Sequence, residues 1–431
     1  MARPERTTAG QVRQPHLIRL LKRRPSALLG RLGPGLISGA SDNDPTTVAS
    51  LAVIGSTTGF GLLWLVVLVI PMLVVVQVIS AAIGTVCQKG LEDVIREQYG
   101  RVWSTLTLFL VLAVNLITLA ADLEGGGAAH GLLTGKPYQW FIIPFALAVG
   151  ALLVWGSYHG LQRVLKYVLL IFLTYIVAAF LAHPHWGQVL HDTLLPRLSF
   201  SSDYVAGALA LALLGTALTS YAYVWETIET AEERQPLRRL GLVQVDAGVG
   251  MIASGVIFFF IVVGTGATLG VHHTPVQTAQ DAAAALAPLA GKLASVIFGL
   301  GLLASAILAI PVLAGTSAYV MAEAFGWRGS LDARFAQAPA FYIALLLSLI
   351  VGVGITLLGV GPIQLLFFSS IAGGLGTPFT LALMMLAARN RRAMGDYRVG
   401  RGLVTAGWAV TAVVTVACGI YLWQTLAPSG H

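Results

Sequence analysis

Apolar residues run along this chain in blocks of about twenty, and polar residues gather in the gaps between them. Eleven blocks are visible, at 32–54, 60–86, 104–131, 138–158, 164–182, 204–230, 245–270, 293–324, 339–359, 362–388 and 402–424. Each is long enough to cross a bilayer as a helix. The pattern predicts an all-α polytopic membrane protein of about eleven helices. Residues 32–425 form one membrane domain, and 1–31 form a basic segment ahead of it.

Two blocks break their own pattern. The first reads Gly33-Pro34-Gly35-Leu36-Ile37-Ser38-Gly39-Ala40-Ser41-Asp42-Asn43-Asp44-Pro45-Thr46-Thr47. Carboxylates at membrane depth are costly and mark functional sites by default. Pro45 removes a backbone donor and disfavours helix at Asp44. The reading is a helix that stops near Asp42 and restarts near Thr47, with a kinked helix holding a structural Asp as the alternative. The sixth block, Leu214-Gly215-Thr216-Ala217-Leu218-Thr219-Ser220-Tyr221-Ala222-Tyr223-Val224-Trp225-Glu226, clusters small and hydroxyl residues at its middle. Membrane helices also use such residues simply to pack. The sixth block lies five after the first, however. Paired broken helices at equivalent places point to two inverted five-helix halves with a site between them.

That site offers oxygen. Asp44, the carbonyls around Ser41 and Ala217, and the hydroxyls of Thr47 and Thr219 are the candidate metal ligands. Neither break holds Cys, Met or His, and hard oxygen ligands suit Mg²⁺, Ca²⁺ or Mn²⁺. The third block adds Asp122 and Glu124, two residues apart and so on different helix faces. They read as a proton or cation relay, or as a buried structural pair. Glu226 reads either as a member of that relay or as the start of a cytosolic acidic run with Glu229, Glu232 and Glu233.

Composition removes the soluble alternatives. The 431 residues are 56% hydrophobic and 10% charged, with a mean hydropathy of +0.80, whereas soluble domains carry about 25% charged residues. The formal charge of +7 is spread over many short loops and does not point to nucleic acid. With the N-terminus in the cytoplasm, 23 of the 26 Lys and Arg residues fall inside and only Lys136, Arg197 and Lys292 fall outside. That asymmetry is what the positive-inside rule demands. The basic start lacks an apolar run and does not resemble a cleavable signal peptide. The expected location is the cell's inner (plasma) membrane. Cys87 and Cys418 belong to blocks near opposite faces, so no disulfide is expected. His183, His185, His191, His272 and His273 sit in loops and read as solvated residues or as a metal-capture patch.

Several motifs together resemble the natural resistance-associated macrophage protein (NRAMP) family of divalent metal transporters. They are Gly33-Pro34-Gly35 before Asp44-Pro45, Gly61-Leu62-Leu63-Trp64, Glu124, Phe298-Gly299-Leu300-Gly301-Leu302-Leu303-Ala304-Ser305 and Pro378-Phe379. The resemblance spans roughly residues 30–425. It implies a LeuT-type 5+5 inverted repeat plus an eleventh helix, with helices 1 and 6 broken. It also implies cation transport, often coupled to protons. The departures are specific. The family's helix-1 asparagine falls on Thr47, its helix-6 methionine on Thr219, its two helix-6 histidines on Tyr221 and Glu226, and its helix-10 glutamine on Ser370. These losses resemble the bacterial NRAMP-related magnesium transporters. The expectation is a secondary transporter for Mg²⁺ or Mn²⁺ in the bilayer, with no cofactor and the metal as substrate, and not an enzyme. The alternative on the same fold is a sodium-coupled amino-acid symporter, although Asp44 would repel a substrate carboxylate. A membrane metalloenzyme would need a fuller ligand set and a catalytic base.

Overall fold

The computed structural model describes residues 39, 41–155, 171–196, 204–272, 276–284, 291 and 294–426. Among them the regular elements are helices and there is no strand. In chain order they are α1 (Pro45–Thr58), α2 (Leu63–Cys87), α3 (Leu91–Tyr99), α4 (Arg101–Thr134) and α5 (Gln139–Trp155), then α6 (Ile171–Leu181). There follow α7 (Trp186–Leu194), α8 (Tyr204–Ala217), α9 (Ser220–Glu232), α10 (Leu240–Thr268) and α11 (Ala279–Ala284). The chain closes with α12 (Ala294–Phe325), α13 (Pro339–Thr356), α14 (Pro362–Arg389), α15 (Arg391–Met394) and α16 (Arg401–Leu426). Among the described residues, eight stretches are long and apolar enough to span a membrane. With α1, α5 and α6 they give each of the eleven predicted blocks a described helix. The start of the first block, the basic segment 1–31, and Arg163, Lys166, Arg197, His273 and Lys292 lie outside the described residues.

The packing reflects the two halves. Helix α4 lies along α12, α2 along α10, α1 against α8, and α5 against α13. Each pair joins a helix of the first half to its counterpart five blocks later. Contacts of this kind arise across the pseudo-two-fold axis of an inverted repeat. The exposed side chains of α16, among them Val416, Leu422 and Trp423, form an apolar surface suited to lipid.

Among the described residues four short helices sit in the loops, below the length that hydropathy detects: α3, α7, α11 and α15. Helix α3 buries Leu91, Val94 and Ile95 at helical spacing. Its N-cap, Gly90, has no side chain, so neighbours supply the caps. The Thr227 hydroxyl of α9 accepts from Leu91 N at 3.0 Å, and Glu323 of α12 accepts from Asp93 N at 3.3 Å. Beside these caps lies a cleft of about 670 Å³ lined by Lys89, Asp93, Arg96, Glu232, Arg234 and Glu323, among others. It faces the side on which the basic loops lie.

Glu92 of α3 is buried and accepts a hydrogen bond from the Ser104 hydroxyl. Burial is the main cause that pushes its carboxyl up from 4.5 to about 7. The folded protein therefore binds more protons here than the unfolded chain between those two values. This residue's contribution to stability falls as pH rises through that window and stays low above it. A shift of that size corresponds to at most about 3 kcal/mol. Glu92→Gln should raise the apparent Tm by several degrees at pH 8, and the gap should close by pH 5. Thermal scans of purified protein at both pH values check this. An equal gap at both would remove burial of the charge as its cause.

Candidate functional site

The first break is built by capping. Its preceding half ends at Ser41, and α1 restarts at Pro45 rather than near Thr47. Proline is favoured in the first turn because its missing donor has no partner there anyway. Asp44 is the N-cap, with extended backbone at φ −68° and ψ 167°, and its Oδ1 accepts from Thr47 N at 2.6 Å. A second acid caps the same end from α4: Asp122 Oδ1 accepts from Thr46 N at 3.2 Å and from the Thr46 hydroxyl at 2.8 Å. Two carboxylates thus face the positive end of one helix dipole.

The rest of the break is pinned by hydroxyls. Asn43 Nδ2 donates to Ser254 Oγ of α10 at 2.9 Å and to Gly39 O at 3.2 Å. The Ser254 hydroxyl also donates to Gly39 O, and the Ser305 hydroxyl of α12 donates to Asn43 O. Gly39 is obligatory: a Cβ there would lie 2.4 Å from the Gly250 backbone.

The second break separates α8, ending at Ala217, from α9, starting at Ser220. Ala217 is fully buried, and its carbonyl is among the terminal acceptors of α8. Thr219 takes extended angles, φ −63° and ψ 142°, and makes no side-chain cap bond. Its Oγ1 is buried with no partner.

Tyr221 joins the two breaks. Its hydroxyl lies 2.9 Å from Asp44 Oδ2 and 3.3 Å from the Ser41 carbonyl. The Thr47 hydroxyl bonds Thr216 Oγ1 of α8 at 2.8 Å, and Ser50 bonds Ser370 of α14 at 2.6 Å. Within the first two turns of α1, these bonds draw α1, α8 and α14 together. Gly215 sits where a Cβ would lie 2.0 Å from Ser370 O, so α8 and α14 touch backbone to backbone.

No three His, Cys, Asp or Glu side chains converge on one point among the described residues. A cation here would draw on carboxylate, carbonyl and hydroxyl oxygens together with its own water.

A family model described as natural resistance-associated macrophage protein-like matches residues 35–424. The chain belongs to that family. A divalent metal cation transporter, MntH, from Ralstonia nicotianae is 30% identical over 93% of this chain and 92% of its own length. A protein of the same name from Deinococcus radiodurans is 28% identical over 93% and 91%. The crystal structure of the Eremococcus coleocola manganese transporter, in complex with an aromatic bis-isothiourea compound, shares the fold. Its TM-score is 0.75 at 18% identity, covering 98% of this chain and 91% of that one.

Within this NRAMP member the predicted site residues divide. Asp44, Ser41 and Tyr221 meet at one point. Ala217 and Thr219 flank the second break, and the Thr47 hydroxyl is engaged by Thr216. Asp122 faces the first break, while Glu124 points elsewhere and bonds Tyr138 of the α4–α5 loop. Glu226 does not begin a cytosolic acidic run. It is 1% exposed, Glu229 is buried as well, and Gln77 Nε2 of α2 donates to Glu226 Oε2 at 3.2 Å. Exposure begins at Glu232, because α9 runs inside the bundle for three turns first. His183, His185 and His191 are exposed, with His191 Nδ1 3.0 Å from Asp192 Oδ1. Cys87 and Cys418 are free thiols.

Sequence reasoning did not single out Thr46, Thr216 or Gln77. Each is an ordinary polar residue until its partner on another helix is known. Asp42 stood in the first break without an assigned role, although it was the second carboxylate of the motif.

Proposed function

We propose that the protein is a secondary transporter that moves a divalent cation, Mg²⁺ or Mn²⁺, across the plasma membrane by alternating access. One observation carries the reading: Asp44 is buried at the meeting of two broken helices, and its hydrogen-bond partners are a backbone N–H and a tyrosine hydroxyl. A carboxylate so placed gains most from a cation. The proposed ligand set is Asp44, the Ser41 and Ala217 carbonyls and the Thr219 and Thr47 hydroxyls, hard oxygen donors that favour Mg²⁺ and Mn²⁺ over softer ions. The relatives named as divalent metal cation transporters support the same substrate class. Protons are the proposed coupling ion, with Asp122, Glu124 and Glu226 as buried acids at hand. The domain spans 32–425 behind a cytosolic basic segment.

Uptake by purified protein in liposomes tests the reading, using Mg²⁺, Mn²⁺, Cd²⁺ and a panel of amino acids. Transport of an amino acid with sodium, and of no divalent cation, would replace it with the symporter. Orientation has its own test. The charge asymmetry puts the N-terminus inside and, after eleven spans, the C-terminus outside. A cysteine placed at Ser429, beyond the described residues, should react with an impermeant thiol reagent on intact cells. Labelling only after lysis would invert the topology.

A further inference from the structure

We propose that Asp42 is a second carboxylate ligand of the transported cation, so that the first break alone contributes two acids. The inference rests on the transport reading above. Asp42 is 0% exposed, and neither of its carboxylate oxygens has a hydrogen-bond partner. Its three neighbours in the chain are all tied: Ser41 by its carbonyl to Tyr221, Asn43 to α10 and α12, and Asp44 to Thr47 and Tyr221. Asp42 therefore has a fixed backbone and an uncommitted side chain.

A buried carboxylate without a partner is among the most expensive arrangements in a protein. Protonation does not remove the difficulty, because the neutral acid brings an O–H donor that would also need an acceptor. Among the described residues no ion pair reaches Asp42. Its charged neighbour is Asp44, of the same sign. Asp42, Asp44 and Asp122 all lie within electrostatic reach of the Tyr221 hydroxyl. Asp122 spends one oxygen capping α1, and Asp44 spends both of its oxygens. Asp42 is the acid with two to give. A divalent cation held near Tyr221 answers this arrangement, since it balances two negative charges that repel each other when it is absent. Two carboxylates on one break also fit an ion that keeps part of its water shell.

The test uses purified full-length wild type, Asp42→Asn, Asp42→Glu and Asp44→Ala. Mn²⁺ binding is measured by calorimetry with Mg²⁺ as competitor, and thermal stability is measured with and without Mn²⁺. Asp42→Asn should weaken Mn²⁺ binding about tenfold or more. Without metal it should be at least as stable as wild type, because an unpaired buried charge is gone, and its Mn²⁺-induced rise in Tm should shrink. Asp42→Glu should recover part of the affinity. Should Asp42→Asn not yield folded protein, Asp42→Ser with the same two readouts takes its place. An affinity change below threefold overturns the proposal, as does a metal-free variant markedly less stable than wild type with its Mn²⁺ response intact. Loss of binding in Asp44→Ala with wild-type binding in Asp42→Asn overturns this inference and leaves the transport reading standing. A wild type that binds neither Mn²⁺ nor Mg²⁺ removes both.

Discussion

Asp44→Ala abolishes cation uptake in proteoliposomes while the protein still folds and inserts. The substitution removes a carboxylate that is 1% exposed at the junction of the two breaks. It also removes the N-cap of α1, which costs about 1 kcal/mol. That loss is tolerable for two reasons. Asp122 still caps the same helix end through Thr46, and Pro45 keeps its pre-set φ at the first turn. The Tyr221 hydroxyl loses Asp44 but retains the Ser41 carbonyl at 3.3 Å. A charge that had to be desolvated disappears at the same time, which offsets part of the missing cap. Asp44→Asn separates the two roles, since the amide oxygen still caps Thr47 N and the charge is gone. Both variants should elute as folded protein, and both should fall to background in Mn²⁺ and Mg²⁺ uptake. Uptake by Asp44→Ala at the wild-type rate would take Asp44 out of the site.

The breaks were legible because their causes are local. Asp44 followed by Pro45 stops one helix and starts another, whereas the small hydroxyl-rich run at Thr216–Ser220 marked the second interruption only together with its place five blocks after the first. The restart at Pro45 rather than near Thr47 follows from the same capping chemistry, with the proline counted as helical. The loop helix α3 was not legible. Nine residues with three buried apolar positions fall below a membrane-length window, and its caps come from Thr227 and Glu323, far away in sequence. The acids show the limit most clearly. Asp122 and Glu124 are two residues apart, which puts them on different faces, but only the packing of α4 says that Asp122 meets Thr46 and Glu124 meets Tyr138. Glu226 looked like part of an acidic run because Glu229, Glu232 and Glu233 follow it. Burial of the first two and exposure of the last two is decided by where α9 leaves the bundle. Asp42 is the sharpest case: its importance lies in having no partner, and a missing partner cannot be read from a sequence.

Thr219→Met moves selectivity toward softer ions. Thr219 begins α9 as its N-cap, yet its hydroxyl caps nothing and touches no other polar group. Losing that hydroxyl therefore costs the helix little, and the angles it adopts are open to any residue. Methionine is larger, but its unbranched chain adapts to irregular space. Its thioether would replace an oxygen beside the Ala217 carbonyl with a soft donor. Soft sulfur favours Cd²⁺ over Mg²⁺, whose water is hard to strip. The expected result is Cd²⁺ inhibition of Mn²⁺ uptake at roughly tenfold lower concentration than in wild type, which corresponds to about 1.4 kcal/mol. Mg²⁺ uptake should fall in parallel. The shift should stop short of full conversion, because Ser370 stays bonded to Ser50 and Thr47 to Thr216, leaving the remaining donors oxygen. Competition curves for wild type and mutant, taken in the same liposome preparation, measure it. A wild type that already binds Cd²⁺ far more tightly than Mg²⁺ would overturn the hard-oxygen reading of the site, whatever the mutant does.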